Sequence, residues 1–289
     1  MPTQGSSRTE TGETSPPASS RVAVVTGAGG GIGAAVAARL VRTGHPVALV
    51  DRDRLGLDSA AAALSAESTL AAESTVTVEC DVADETDVNA AVDAVTRRLG
   101  PPTILVTCAA VDGGGLLDDL TRTDWDTTMA VNATSAFLFS RAMLPSFRQA
   151  GGSIVTVASI AAVVSASGRL AYSASKGALV AFTKGLAMEL APLGVRANSV
   201  CPASVNTPMA RAGMFLRGDG DFELGLQRTG AMHPVGHVAE ADEIAAVVGF
   251  LCSDDASFVT GESIMADGGI LAKMPMPVTV DAASVGVIG

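Results

Sequence analysis

Aromatic residues, histidine, cysteine and long apolar runs are all scarce in this chain. Only 3 % of the residues are aromatic although 48 % are hydrophobic, so a core must be built mainly from alanine, valine and leucine. Such small aliphatic side chains suit helices that pack closely on a parallel sheet. With 289 residues, the chain is long enough for one large α/β domain.

Basic residues are also in deficit, because 19 lysines and arginines face 30 aspartates and glutamates, for a formal net charge of −11. This balance lacks the basic footprint that a nucleic-acid backbone requires, and we expect no nucleic-acid partner. No apolar run approaches the roughly 20 residues of a membrane helix, and we expect no membrane partner.

The four cysteines include no CxxC pair, and the three histidines are scattered; the cysteines are Cys80, Cys108, Cys201 and Cys252. This spacing predicts neither a metal site nor a redox disulfide. Their apolar or small neighbours predict buried free thiols, which are typical of a reducing compartment. We therefore expect a cytoplasmic protein without a bound metal.

The two ends of the chain differ in composition from its middle. Residues 1–20 are rich in Ser, Thr, Gly, Pro and Glu and lack the apolar core of a signal peptide, which predicts a disordered N-terminal extension. Residues 21–272 carry the regular pattern of one domain. Residues 273–289 form a C-terminal tail, which is either an ordered arm over a neighbouring subunit or a loose segment.

Apolar runs and helical patterns alternate along residues 21–272. The strands are predicted at 21–25, 46–50, 75–79, 103–107, 153–157, 196–200 and 263–265. The helices are predicted at 32–43, 57–72, 85–99, 125–149, 172–190 and 241–252. This alternation predicts an α/β, single-domain, doubly wound (Rossmann-type) parallel sheet with helices on both faces. Ligands of such sheets bind outside the carboxyl ends of the strands.

A glycine-rich turn follows the first predicted strand and opens the first helix; it contains Gly27, Gly29, Gly31, Ile32 and Gly33. Glycine lets the backbone approach a pyrophosphate closely, and the helix N-terminus offers N–H groups and the positive end of its dipole. Such a turn alone is often only a tight connection. The strand before it and the helix after it favour dinucleotide binding.

Acidic residues end the second and third predicted strands. Asp51 is placed to accept hydrogen bonds from the adenosine ribose and to repel a 2′-phosphate, which favours NAD over NADP. Arg52 and Arg54 act against that preference, because a guanidinium binds such a phosphate; Asp51 could also simply cap the next element. Asp81 and Val82 lie at the same rim, where an adenine contact and a helix N-cap are both expected.

Several motifs occur in one order along residues 21–269, and together they resemble the classical short-chain dehydrogenase/reductase family. The first turn has the spacing TGxxxGxG, and Tyr172 and Lys176 match YxxxK. Ser159 precedes Tyr172 by thirteen residues, and Asn132 stands in a Val-Asn-Ala triplet. Segments 195–202, 207–209, 260–261 and 267–269 also match. Ala110 and Ala203 replace glycines that the family usually has.

The resemblance implies an enzyme that moves a hydride between NAD and a secondary alcohol or ketone. Tyr172 and Lys176 are one helical turn apart and share a face, so the ammonium is expected to lower the pKa of the phenol, which acts as acid and base. Lys176 would also hold the nicotinamide ribose. Ser159 would stabilise the substrate oxygen, and Asn132 would fix a water behind Lys176.

The resemblance further implies cofactor contacts from Ala109, Pro202, Val205 and Thr207. It also implies a homotetramer with interfaces on the helices at 125–149 and 172–190. Residues 207–234 are the longest predicted irregular stretch and carry Met209, Met214, Phe215, Leu216, Phe222, Leu224 and Met232. An apolar lid over an apolar or cyclic small molecule and packing against a neighbouring subunit are equally compatible with this composition.

Each of these residues also has an ordinary interpretation. A Tyr–Lys pair at helical spacing is usually surface decoration, Ser159 could cap a strand end, and Asn132 could be a hydrogen bond inside a helix. A non-catalytic dinucleotide-binding sensor or scaffold is the alternative function, since fold alone does not establish activity. Dehydration or epimerisation on the same scaffold is a further alternative.

Overall fold

The computed structural model describes residues 21–67 and 69–273. The predicted N-terminal extension and the predicted tail beyond Lys273 lie outside the described residues, so neither prediction is tested.

Seven parallel strands form one sheet in the order β3-β2-β1-β4-β5-β6-β7. The strands are β1 (Val22–Thr26), β2 (Val47–Asp51), β3 (Thr75–Glu79), β4 (Pro102–Thr107), β5 (Gly152–Val157), β6 (Val195–Pro202) and β7 (Ser263–Ala266). Each predicted strand is confirmed to within two residues at either end. The strand order reverses between β1 and β4, and the carboxyl ends of these two strands therefore border a crevice.

Helices cover both faces of the sheet, which confirms the doubly wound fold. They are α1 (Gly31–Arg42), α2 (Arg54–Glu67), α3 (Thr69–Glu73), α4 (Glu85–Leu99), α5 (Arg122–Met129), α6 (Ser135–Ala142), α7 (Leu144–Ala150), α8 (Leu170–Leu190), α9 (Pro208–Arg217), α10 (Phe222–Gly230) and α11 (Ala241–Cys252).

Two hydrophobic clusters lie on opposite faces of the sheet, because successive strand residues point to opposite sides. Val24 packs with α4 and α6 on one face, where Phe139 is fully buried. Val25 packs with α1 and α11 on the other, where Leu40 is almost fully buried. The two faces are thus filled mainly by aliphatic side chains, as the composition indicates.

The single helix predicted at 125–149 is wrong in detail. Helix α5 ends at Met129, a π-turn covers Ala130–Thr134, and α6 and α7 follow with a break at Met143. Pro145 lies in the first turn of α7, where a missing N–H costs no helical hydrogen bond. The helix predicted at 57–72 is found as α2 and α3, which lie on either side of residue 68, outside the described residues.

The prediction that residues 207–234 are irregular is also wrong, because α9 and α10 occupy most of this segment. The two helices pack closely through glycines: a Cβ on Gly225 would overlap the carbonyl oxygen of Met214. Glycines that break a helical pattern in sequence serve here as the contact between two short helices. Within the described ranges, none of the helices combines the length and apolarity needed to cross a membrane.

Candidate active site

A cavity of about 370 Å³ opens at the carboxyl edge of the sheet, beside the point where the strand order reverses. Most of the predicted cofactor residues line it: Gly27, Gly29, Gly31, Ile32, Gly33, Asp51, Arg52, Asp81, Val82, Ala109, Tyr172, Lys176 and Thr207. Pro202 and Val205 lie outside this lining, and their predicted contacts stay predictions. The lining residues not predicted are Gly30, Asp53, Cys80, Cys108, Ala110, Val111, Val131, Val157, Ala158, Pro208 and Met209.

The glycine turn leaves backbone room for an anionic group. Gly27 has a φ of +68°, and a Cβ there would lie 2.6 Å from the backbone nitrogen of Ala109. A Cβ on Gly33 would overlap the carbonyl oxygen of Gly27, whereas a Cβ on Gly30 would meet no described atom within 4 Å. Among the described residues, no side chain caps the start of α1. This cradle fits a pyrophosphate.

Thr26 is the first residue of the TGxxxGxG pattern, which gave it no role of its own. Its hydroxyl oxygen accepts hydrogen bonds from the backbone N–H groups of Cys108 and Ala109, at 3.2 and 3.3 Å. The last residue of β1 thereby fixes the backbone that follows β4. The pattern contains this threonine but does not name its partners, which lie 82 and 83 residues further along the chain.

Asp51 holds the glycine turn as well as facing the cavity. Its carboxylate accepts hydrogen bonds from the N–H groups of Gly29 (2.9 Å) and Asp53 (3.0 Å). Asp53 in turn accepts from Leu55 within the first turn of α2, so Asp51 does not cap that helix. Arg54 is paired with Asp58 at 3.0 Å, which leaves Arg52 as the guanidinium that lines the cavity.

The N-cap interpretation of Asp81 is wrong. Its carboxylate accepts from the N–H of Ala83, and Asp84 caps α4 by accepting from Thr86 and Asp87. A hydrogen bond from the Asp84 N–H to the Asp81 carbonyl forms a turn between strand and helix. This turn delays the helix start by three residues and leaves Asp81 at the cavity rim.

Lys176 is almost fully buried, at 2 % exposure, which contradicts the surface-decoration interpretation of the Tyr–Lys pair. Its Nζ donates to the Val157 carbonyl at 2.9 Å and lies 5.6 Å from the centre of the Tyr172 ring. Burial lowers the pKa of Lys176 to about 8, and Cys108 and then Cys201 act in the opposite direction. A buried cation at this place requires a polar or anionic partner in the cavity to compensate its desolvation.

Tyr172 is half-buried near the N-terminus of α8. Burial raises the pKa of its phenol, and a hydrogen bond with Ser159 and the charge of Arg169 act against this shift. The predicted net lowering is therefore not found in the protein alone. Ser159 also accepts from the Ala161 N–H at 3.1 Å, so the hydroxyl caps a short 3-10 turn, Ile160–Ala162, while reaching Tyr172.

Asn132 lies in the π-turn and is 2 % exposed. Its amide accepts from the Val111 N–H (2.7 Å) and donates to the Val111 carbonyl (2.9 Å) and to the Ser175 hydroxyl (3.0 Å). These bonds join the loop after β4 to α8, so the side chain does more than hydrogen-bond inside its own helix. The water predicted behind Lys176 remains a prediction. π-turns are often found at functional sites.

All four cysteines lie in the described part of the chain and are free thiols. Burial raises the pKa of Cys108 to about 12, so it is a thiol at neutral pH. Within residues 21–67 and 69–273, no group of three or more His, Cys, Asp or Glu side chains is placed to hold a metal ion.

The chain is similar to known proteins over the whole of this site. Residues 27–271 match the family model described as enoyl-(acyl carrier protein) reductase. The chain is 37 % identical to 2-(S)-hydroxypropyl-CoM dehydrogenase 3 of Xanthobacter autotrophicus over 252 residues, which cover 87 % of this chain and 96 % of that protein.

Two solved structures show the same likeness in three dimensions. Levodione reductase matches with a TM-score of 0.82 at 31 % identity, covering 88 % of this chain and 98 % of that one. A variant of actinorhodin polyketide ketoreductase with NADPH matches with a TM-score of 0.81 at 33 % identity, covering 87 % and 97 %. Every residue that lines the cavity falls within the range matched by the family model.

Proposed function

The chain belongs to the classical short-chain dehydrogenase/reductase family, and we propose that it uses NAD to interconvert a secondary alcohol and a ketone. The strongest support for this proposal is the lining of the cavity. A single cavity is bordered by the glycine turn, by Asp51 and by the Tyr172–Lys176 pair, so that one ligand reaches all three. An oxidoreductase that acts on a CH–OH group agrees with the dehydrogenases and reductases to which the chain is similar.

The residues divide the work of this reaction as follows. The glycine turn, Asp51 and Lys176 would hold a nicotinamide cofactor, which when bound would supply the hydride chemistry of this reaction. The ionised oxygen of Tyr172 takes the hydroxyl proton during oxidation, and its hydroxyl returns that proton during reduction. The Ser159 hydroxyl donates a hydrogen bond to the substrate oxygen. Lys176 binds the nicotinamide ribose, and Asn132 holds the water that continues the proton path.

NAD is proposed over NADP because of Asp51. Its carboxylate stands at the end of β2 on the cavity lining, where the charge of a 2′-phosphate would be repelled. Arg52 lines the same cavity and is the residue that acts against this preference. The balance between these two side chains decides which cofactor binds.

Asp51→Asn should lower the preference for NAD over NADP by roughly 10- to 100-fold, because the repulsion of the 2′-phosphate is lost. The comparison is of kcat/KM for the two cofactors in a nicotinamide-absorbance assay. Asparagine keeps one acceptor for the turn, so the fold is expected to persist. Asp53→Asn is the matched control, since it removes the same charge at the same rim and keeps the cap of α2.

The assay is run first on cyclic and aliphatic secondary alcohols with both cofactors. Turnover with NAD, together with a larger effect of Asp51→Asn than of Asp53→Asn, is the expected result. Equal effects of the two variants would contradict the role given to Asp51. NAD binding without turnover of any substrate would favour the sensor or scaffold.

The substrate is proposed to be an apolar or cyclic small molecule. Exposed large apolar side chains occur on the segments that follow β4, β5 and β6 at the carboxyl edge; they are Leu116, Leu117, Val163, Val164, Met209, Phe215 and Leu216. Met209 also lines the cavity at the start of α9. In this proposal helices α9 and α10 act as the lid.

A homotetramer and a cytoplasmic location complete the proposal. Exposed apolar side chains on the helices expected at the interfaces, Phe137 on α6 and Met188 on α8, support subunit contacts there. The four free thiols suit a reducing compartment.

A further inference from the structure

An ion pair joins the two loops that border Tyr172. The guanidinium of Arg169 donates to the carboxylate of Asp112, which lies on the loop after β4, while Arg169 lies at the start of α8. The backbones of the same loops also meet, since the Gly115 N–H donates to the Gly168 carbonyl at 2.9 Å. Neither charged residue belongs to the motifs that carry the resemblance.

Arg169 stacks on the Tyr172 ring. Its Cζ lies 4.7 Å from the ring centre, closer than the Nζ of Lys176 at 5.6 Å. The two residues are three apart at the start of α8, so their side chains lie on one face. A cation over the ring attracts a phenolate more strongly than a phenol, because the ionised ring carries more negative charge.

We propose that Arg169 is a positioning residue whose guanidinium, held over the ring by Asp112, favours the ionised form of Tyr172. Asp112 has the opposite sign and opposes that ionisation, so the pair sets the protonation of Tyr172 from two sides. The inference rests on the proposed function only in that Tyr172 is the acid–base group.

The charged groups that face Tyr172 come from two elements. Lys176 lies on its own helix, Arg169 at the start of that helix, and Asp112 on the loop after β4; the neutral Ser159 adds a hydrogen bond. Burial raises the pKa of Tyr172, the Ser159 hydrogen bond and then Arg169 lower it, and Asp112 raises it.

The pair adds little to stability. Its side chains are 40 % and 41 % exposed, and exposed ion pairs of this kind are screened by water and salt. Neutralising either residue should therefore leave the protein folded, so that electrostatic effects on Tyr172 are measurable. Thermal unfolding of each variant checks this expectation.

Tyr172 is the only tyrosine of the chain, so a phenolate absorbance titration of the whole protein reports this side chain alone. We expect Arg169→Gln to move the midpoint to higher pH and Asp112→Asn, which keeps a hydrogen-bond acceptor for Arg169, to move it to lower pH. Arg169→Lys keeps the charge and should fall between wild type and Arg169→Gln. Tyr172→Phe removes the signal, and circular dichroism at each pH confirms that the protein is folded.

Kinetics provide the second readout. Arg169→Gln should lower kcat for alcohol oxidation about tenfold at neutral pH, with KM changed less than about twofold, and the loss should be recovered at higher pH. An unchanged midpoint in Arg169→Gln, or shifts of the same direction in Arg169→Gln and Asp112→Asn, would overturn the inference. The titration does not depend on turnover. If the two midpoints shift in opposite directions but Tyr172→Phe is fully active, the proposed function is contradicted and the effect of Arg169 and Asp112 on Tyr172 stands.

Discussion

Tyr172→Phe should lower kcat about 10³-fold in either direction of the reaction, because the variant lacks the oxygen that takes and returns the proton. The ring itself remains, and so does its contact with the guanidinium of Arg169. Cofactor binding should therefore change little, by less than about threefold in Kd, since the glycine turn and Asp51 are untouched. Turnover is measured by nicotinamide absorbance and binding by calorimetry.

Ser173→Ala is the control for this variant, since Ser173 is the next residue of α8 and its hydroxyl bonds with Ser165 on the preceding loop. It should keep near wild-type turnover. If Tyr172→Phe turned over within about tenfold of wild type, a smaller loss than positioned acid–base groups normally give, the phenol would not be the acid–base group. Dehydration or epimerisation would then need testing.

The centre of the sheet could be predicted from sequence because its strands are continuous apolar runs that lie between two helical layers. Val22–Thr26 and Pro102–Thr107 are buried along their whole length, so their pattern is unambiguous. The glycine turn was predictable for a related reason. A Cβ at Gly27 or Gly33 would collide with backbone atoms, so only glycine fits there. The glycines in the sequence therefore indicate a tight turn.

The sequence did not predict the π-helical turn or helices α9 and α10, because their sequence signals are weak. A π-turn adds one residue to a helical turn, and the apolar pattern across Ala130–Thr134 hardly changes. Helices α9 and α10 are short, and the glycines that bring them together read in sequence as breakers. Packing of the two helices against each other places these glycines at their contact.

Parts of the site depend on contacts between segments that are far apart in sequence. Asn132 reaches Val111, and Thr26 reaches Cys108, across 21 and 82 residues. Motif spacing identified Asn132 but gave no partner, and nothing in a single sequence pairs Asp112 with Arg169, 57 residues away. Which side chains surround Tyr172 is thus a property of the folded loops.

The burial of Lys176 has a cost in stability that its role at the site explains. Burial lowers its pKa from the usual 10.5 to about 8. A shift of this size corresponds to about 3 kcal/mol of unfavourable burial of the charged form. The ammonium is buried beside Tyr172 at the cavity, and its desolvation is unfavourable in the protein without cofactor. We expect polar groups of a bound cofactor to compensate this desolvation.

Lys176→Met should therefore abolish most turnover and yet stabilise the protein without cofactor, by roughly 1–2 kcal/mol near pH 7. The gain is smaller than the full burial cost because the Val157 carbonyl loses its donor. Methionine fills the same buried space with an apolar chain. Unfolding free energies from denaturant titrations, measured across pH, check the prediction.

The sign of the pH dependence follows from the two pKa values of Lys176. Between the folded value of about 8 and the unfolded value of 10.5, the unfolded chain binds more protons, so the wild type gains stability as pH rises through this window. The advantage of Lys176→Met should thus be largest below the folded pKa and should become a disadvantage of about 1–2 kcal/mol above 10.5, where the burial cost is gone and the missing donor to the Val157 carbonyl remains. Cys80 and Cys252 do not interact with Lys176 and cancel in the difference. Burial raises the pKa of Cys108 and Cys201 and Lys176 acts to lower it, so these two thiols belong to the measured effect of the substitution.

Lys184→Met is the matched control, because it makes the same substitution at an exposed position of the same helix and should leave stability within about 0.5 kcal/mol of wild type. A variant at position 176 that is less stable than wild type at neutral pH would mean that Lys176 stabilises the empty fold. An advantage that does not shrink with rising pH would mean that methionine packing, and not the removed charge, causes the gain. If the stability gain of Lys176→Met disappears as the lysine of the wild type loses its proton, the buried charge is its cause. The fold then keeps an unfavourable buried ammonium at the place where the cofactor is proposed to bind.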